Sequence, residues 1–444
     1  MYIRIRRQVI LMLFLCSCLP LSACMDITGA SWDWTKNIPH QKNVLDGTVQ
    51  TSLESGTDAA HTGSTPDPSK ESLPAERVTT RTTGELNDET IRQQIGLSEE
   101  CIPGLLEQQA GYYYFDHLSQ KDKLLYVEIY QILTRRAEDV RISSMEAEQI
   151  ERIFQSVLND HPEIFYVEGY HFTKYTLGEE LKKITFRGSY HMDETETEAC
   201  RQQIEHRVEE WLRPLESVTD EYEYVRQVYE SVIHHTDYVT GAREDQNICS
   251  VFLYGESVCQ GYAKAVQYLL QKRGIQSALV IGSVGEEGHA WNLVKVDQEY
   301  YYVDATWGDA SYQLENADAE EDRFLGINYD YLCVTTDQLK RTHQPAEPAL
   351  MPLCESLNAN YYVREGAYFT SPDTDMLEQL FEKAYTDGKD CVTLKCSQEA
   401  VYQQMLTWLI EEQEIFHYLK DRKEVVAYAD HKEQLSISFW LSEE

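Results

Sequence analysis

The central stretch of the chain, residues 255–309, predicts an α+β fold in which one helix packs on an antiparallel sheet. Three observations predict it. From Val258 the apolar residues Tyr262, Ala265, Val266, Leu269 and Leu270 recur with a helical period, and Gly274 ends the run with Lys272 and Arg273 in its last turn. Two apolar runs rich in strand formers follow, 276–283 and 289–296, separated by a turn at 285–288. A third run, 299–304, follows the dipeptide Asp297-Gln298, which reads as a hairpin loop.

Each element carries one residue able to do chemistry. Cys259 lies in the first turn of the helix, behind the turn-like Gly255-Glu256-Ser257, where Ser257 is the expected N-cap. Free N–H groups and the helix dipole favour an anion there, which suits a nucleophilic thiolate. Gly261 is expected to leave the approach to the sulfur uncrowded. A lone cysteine at a helix start is as well explained as a buried, inert side chain. His289 and Asp304 change that balance. With a two-residue loop Val296 pairs with Glu299, so His289 faces Thr306 and Asp304 faces Trp291. Asp304 then shares a sheet face with His289 at a diagonal, where a carboxylate can hold one ring nitrogen and leave the other free to take a proton from sulfur.

The motifs S-V-C-Q-G-Y-A at Cys259, G-H-A-W-N-L-V at His289 and Y-Y-V-D-A-T-W-G-D at Asp304 resemble the transglutaminase-like superfamily, members of the papain-like cysteine fold. The close resemblance covers about residues 245–309, with looser similarity over 222–331. It implies Cys259 as nucleophile, His289 as general base and acid, Asp304 as the orienting residue, and acyl transfer through a thioester. It also implies an oxyanion hole built from the Cys259 backbone N–H and a second, upstream donor, for which Gln246 is the candidate. Trp291 and Trp307 match aromatic positions of the family and are expected to pack around the triad.

Residues 1–24 carry Arg4, Arg6 and Arg7, then an apolar run from Val9 to Leu19, then Leu21-Ser22-Ala23-Cys24. This is the pattern of an export signal, with an apolar stretch too short to serve as a mature membrane span. The L-S-A-C tetrad resembles a bacterial lipobox, which implies lipidation at Cys24 and attachment to the outer face of the cell membrane. A plain secretory signal is the alternative. Residues 25–110 read as a tether, poor in aromatics and rich in Ser, Thr, Gly, Asp and Glu. Residues 111–214 read as an α+β domain with helices over 118–136, 144–159 and 193–213 and strands over 164–172 and 181–190. The catalytic core is expected over 215–345, opened by a helix at 221–234. Past an acidic loop at 315–322, residues 324–334 read as a strand and 335–343 as a short helix. Residues 346–444 read as an α/β domain with strands over 391–396, 424–429 and 434–441 and helices near 374–386 and 398–409.

The net charge of −36, from 75 acidic against 39 basic residues, opposes binding to nucleic acid. No H-E-x-x-H, C-x-x-C or C-x-H cluster, G-x-S-x-G elbow or Gly-rich phosphate loop occurs, so neither a metal nor a cofactor is expected. With the leader cysteines, Cys24 and Cys259 set aside, an odd number of the 11 cysteines remains, widely spaced, which is no disulfide framework. Three functions follow: a surface-anchored cysteine peptidase or amidase, a protein cross-linking transglutaminase, and a non-catalytic binding or scaffold lipoprotein. The intact triad opposes the third. The expected partner is a protein or peptide, with cell-wall peptide, host protein and peptide nutrient all open.

Overall fold

The computed structural model describes residues 3–6, 88–177, 180–309, 326–347, 350–420 and 425–441. The chain divides into two compact units, Pro39–Asp193 and Met1–Ile38 with Glu194–Glu444. Cys24, most of the leader and tether, and the acidic loop at 315–322 lie outside the described residues.

The first unit opens with helices α1 (Asp88–Gln94), α2 (Ile102–Gln108), α3 (Tyr113–Asp116) and α4 (Gln120–Arg135). After strand β1 (Val140–Arg141) come helix α5 (Ala147–Asp160) and the hairpin β2 (Val167–Leu177) and β3 (Glu180–Tyr190), in sheet order β1-β3-β2. The apolar stripes foreseen on α4 and α5 are buried, among them Leu125, Ile129, Ile132, Ile153, Phe154 and Val157. Helices α1 and α2 fall in the stretch that composition assigns to the tether. Polar contacts hold α1: Arg92 pairs with buried Glu128 at 2.9 Å and donates to Arg141 O at 2.7 Å, and Asp88 accepts from Lys183 at 2.7 Å. Such contacts leave no mark on hydrophobicity.

The second unit starts with α6 (Glu194–Leu212) and α7 (Glu221–His234), whose N-cap Asp220 accepts from Glu223 N. Two short parallel strands follow, β4 (Asp237–Tyr238) and β5 (Glu256–Ser257), and then α8 (Cys259–Lys272). The next strands are β6 (Ser277–Val284), β7 (Glu287–Val296) and β8 (Glu299–Val303), leading into α9 (Ala305–Gly308). Val296 pairs with Glu299 as the two-residue loop requires. Asp297 and Gln298 both have positive φ, 49° and 71°, the backbone of a type I′ turn. Helix α8 lies on this sheet, with Cys259 and Ala263 against Leu279 and Ala290.

Residues 326–334, the described part of the aromatic run expected to be a strand, do not form one. Tyr329–Tyr331 forms a 3₁₀ turn capped by Asn328, and only Val334 makes a bridge, to Tyr302. Its rings pack instead of pairing, Tyr329 stacking on Tyr361 at 3.8 Å. Next come α10 (Thr336–Leu339), held by a capping box of Thr335 and Gln338, and strand β9 (His343–Pro345), which completes the central sheet in the order β9-β6-β7-β8. The chain continues through α11 (Tyr361–Arg364), β10 (Tyr368–Phe369), α12 (Thr374–Thr386), β11 (Cys391–Cys396), α13 (Glu399–Leu406), β12 (Val425–His431) and β13 (Ser436–Trp440). Their sheet runs β12-β13-β11-β10 over a core that includes Phe369, Phe381, Leu394, Met405, Ile437 and Phe439. Ile3–Arg6 pairs antiparallel with β12, from Ile3 opposite Tyr428 to Arg6 opposite Val425.

Candidate active site

Cys259 is buried at the first position of α8. The N-cap is Val258, in extended backbone and with no side-chain cap, rather than Ser257. The Ser257 hydroxyl is drawn elsewhere, to Ser250 Oγ at 2.6 Å and Asp245 O at 3.1 Å. Gly261 makes room for that knot of hydroxyls, since a Cβ there would meet Ser257 Oγ at 2.0 Å and Ser250 Oγ at 2.7 Å. Its role is thus close packing of the first turn, not clearance above the sulfur. The chain at Asp245 runs beside the start of α8, with Val258 N donating to Asp245 O at 3.5 Å. Gln246 is half-buried in this segment, beside the Asp245 carboxyl, whose pKa burial raises against the opposing effect of the Gln246 amide.

His289 lies on β7 and Asp304 just past β8, both buried. His289 Nε2 meets Asp304 Oδ2 at 2.6 Å, and Cys259 lies beside the same imidazole. Because Nε2 is committed to Asp304, the ring atom left for the sulfur is Nδ1. Burial pulls the His289 pKa down, but the Asp304 carboxylate and the contact with Cys259 outweigh it and raise it above the usual imidazole range. Burial pushes the Asp304 carboxyl up, and His289 and His343 overcome that and hold it well below the usual carboxylate range. The second carboxylate oxygen, Oδ1, accepts from Thr306 N at 2.9 Å and Trp307 N at 3.1 Å, so Asp304 also caps α9. Trp291 and Trp307 flank the imidazole, their ring centroids 6.0 and 6.3 Å from that of His289.

His343 was not singled out by the sequence. Its Nε2 meets the same Asp304 Oδ2 at 2.9 Å, and its Nδ1 meets Thr342 Oγ1 at 2.7 Å. The ring is buried against Trp291, Trp307 and Tyr331, at centroid distances of 5.1, 5.2 and 5.5 Å. Desolvation lowers its pKa, with the His289 charge, against the pull of Asp304. The strand that carries His343 approaches because Gly282, opposite His289 in the register, has no Cβ: one there would meet Gln344 O at 2.2 Å. The strand has three residues, too few to show a period, and its histidine lies 39 residues from the aspartate it touches. Two imidazoles and a carboxylate are also donors of the kind a divalent ion takes, and their ligand atoms lie within 4.8 Å of one another. In the structure both Nε2 atoms address one oxygen at hydrogen-bond length, the arrangement of a proton-bridged cluster.

Residues 209–305 match the family model described as the transglutaminase-like superfamily. No curated protein matches the chain. Among solved structures, a protein provisionally named a cysteine protease, from Cytophaga hutchinsonii, shares 10% identity over 31% of this chain and 61% of its own, with a TM-score of 0.22. A structure named a TGase shares 14% identity over 38% of this chain and 51% of its own, with a TM-score of 0.23. Menin, solved with its binding site for the Mixed Lineage Leukemia protein, shares 16% identity over 44% of this chain and 43% of its own, with a TM-score of 0.22. The chain thus spans less than two thirds of each of these structures. Cys259, His289 and Asp304 fall inside the matched span and His343 outside it: residues 209–305 are a transglutaminase-like domain.

Proposed function

We propose that the chain is a cysteine hydrolase, a peptidase or amidase, in which Cys259, His289 and Asp304 act as a triad through a thioester. The observation that carries this reading is the juxtaposition of Cys259, His289 and Asp304, with His289 Nε2 held at 2.6 Å by a buried carboxylate and Cys259 beside the same ring. The thiolate is the nucleophile, and its proton goes to His289 Nδ1. The sulfur adds to the carbonyl carbon of an amide, and negative charge develops on the carbonyl oxygen. The backbone N–H of Cys259 faces that charge at a helix start with no side-chain cap, with Gln246 as the second donor. The C–N bond breaks as His289 returns the proton to the leaving amine, which gives the thioester. Water, deprotonated by His289, then adds to the thioester carbonyl, and the C–S bond breaks to release the acid and return the Cys259 thiolate beside protonated His289. Asp304 stabilises the imidazolium and fixes its tautomer without taking the proton.

Water is the acceptor that needs no second binding site, which favours hydrolysis over transfer to an amine. The substrate is a protein or peptide. The export-like leader and its L-S-A-C tetrad support a second part of the proposal, an enzyme outside the cell anchored by lipid on Cys24. Metabolic labelling with a fatty-acid analogue should tag the wild type and not Cys24→Ser, and equal labelling of both removes the anchor.

A quenched peptide library, run with and without a labelled primary amine, tests the reaction. Hydrolysis that requires Cys259, with no amine incorporated, is expected. Amine incorporation that outpaces hydrolysis makes the protein a cross-linking transglutaminase. Turnover of neither kind, or turnover unchanged in Cys259→Ala, rejects the enzyme.

A further inference from the structure

The region after residue 346 bears none of the three triad residues, yet its polar interior reaches them. Lys395 on β11 is buried and donates to Asp330 Oδ1 at 2.8 Å and to Gln434 Oε1 at 3.3 Å. Ser436 on β13 donates to Asp330 Oδ2 at 2.6 Å. Gln434, buried in the turn between β12 and β13, donates to Tyr331 OH at 3.0 Å and, over a longer 3.5 Å, to Thr342 Oγ1. The groups so held adjoin the site. Tyr331 O accepts Asp304 N at 3.0 Å, and the Tyr331 ring packs on Trp307 and His343. Thr342 Oγ1 meets His343 Nδ1.

Resting on the triad reading, we propose that the turn and strands carrying Gln434 and Lys395 are part of the catalytic centre, with Gln434 a positioning residue that acts through Tyr331, Thr342 and His343 on Asp304. Two arguments carry this. The first is proton direction. Ionised Asp304 can only accept, so the His343 Nε2 that faces its Oδ2 at 2.9 Å carries the ring proton, and Nδ1 accepts the Thr342 O–H, whose rival acceptor is Leu339 O at 3.5 Å. The Gln434 N–H occupies a lone pair of that hydroxyl and holds its O–H toward His343. The oxygen that holds His289 is then held by a second imidazole. The second is cost. Burying a lysine and an aspartate costs several kcal/mol per ion in lost hydration, on the order recovered only with good geometry and further hydrogen bonds. An apolar core already holds this region together, so the ion pair is a poor device for stability and a good one for geometry.

The test uses the full chain, with Gln434→Leu, Gln434→Glu and Lys395→Met, and with Tyr402→Phe as a control that removes a 2.9 Å hydrogen bond to Asp430 in the same region. Thermal unfolding establishes which variants fold. Imidazole ¹⁵N shifts give the His343 tautomer, and peptide hydrolysis gives kcat and KM. In Gln434→Leu we expect His343 to lose its Nε2–H preference and kcat to fall by about 10–100-fold at unchanged KM, as when an outer partner of an active-site ligand is lost. Lys395→Met should move both signals in the same direction and Tyr402→Phe neither. If Gln434→Leu does not fold, Gln434→Glu and Lys395→Met decide by the same signals. A folded variant that keeps the wild-type tautomer and kcat overturns the proposal. Should the wild type show no Cys259-dependent turnover, the triad reading fails, while the His343 shifts still decide whether Gln434 positions the cluster.

Discussion

Among the described residues each unit holds a buried histidine with a carboxylate partner, His161 in the first and His289 in the second, and they differ in what faces the ring. In the first unit His161 has both ring nitrogens engaged, Nδ1 with Glu163 Oε1 at 2.7 Å and Nε2 with Gln109 Oε1 at 2.8 Å. Tyr130 stacks on the ring at 4.2 Å, and Tyr112 lies 4.3 Å from it. Its neighbour Asp160 is consumed in the same way, accepting from Tyr114 N, Phe115 N and Tyr126 OH. In the second unit Asp304 takes one nitrogen of His289 and the other side of the ring faces a thiol. Burial and a carboxylate partner are common to both clusters. What separates them is a ring nitrogen left beside a nucleophile.

The comparison breaks most readily on activity. His289→Ala should lower kcat at least ~1,000-fold, the scale on which catalytic units fail. His161→Ala should leave kcat unchanged and cost its own unit about 1–3 kcal/mol through the acceptors it strands, as read by urea unfolding. Equal activity losses would erase the distinction. Asp304→Asn should cost less activity than Cys259→Ala or His289→Ala, since the aspartate orients and stabilises without taking the proton.

The pH dependence of stability should differ in sign. Burial pushes the Asp160 carboxyl up to about 6, against the pull of His161 and its three donors. A carboxyl raised in the fold binds its proton more tightly there. Its contribution is full below the unfolded value and is lost as pH rises through about 6. A rise of that size corresponds to about 3 kcal/mol. The depressed Asp304 carboxyl does the reverse, adding stability above its unfolded pKa that is lost as pH falls through the folded value. Separate unfolding probes should show the first unit losing stability as pH rises from 4 to 7, with Asp160→Asn flattening that slope, and the second unit losing the Asp304 contribution only as pH falls below about 4. A first unit that keeps its stability up to pH 7 would contradict the assignment.

The smallest effects lie in two glycines. Gly261→Ala meets the Ser257–Ser250 knot and should destabilise by about 1–3 kcal/mol. Gly104→Ala, in α2 with nothing within 4 Å of the added methyl, should stabilise by roughly 0.5–1 kcal/mol. Thermal unfolding of both variants checks the pair.

What was legible in the sequence is what local periodicity can encode. The parity of a two-residue loop is enough to bring His289 and Asp304 to one face, and a helical stripe is enough to put Cys259 at a helix start. His343 was hidden because three residues of strand carry no period and its partner is distant in sequence. The Lys395–Asp330 pair, 65 residues apart, was hidden for the same reason. Residues 326–334 misled because aromatic content suits a packed turn as well as a strand. Helix α1 escaped because ion pairs, not apolar burial, hold it to the fold.

The central claim is that His289 activates Cys259, and alkylation kinetics test it most directly. A limiting dose of iodoacetamide near neutral pH, followed by peptide mass spectrometry, should label Cys259 ahead of Cys101 and Cys200 in the wild type, although Cys101 is the more exposed. In His289→Ala that lead should vanish, while His161→Ala should keep it. If Cys259 reacts no faster than Cys101 or Cys200, and no faster in the wild type than in His289→Ala, the dyad is not activated and the account is wrong.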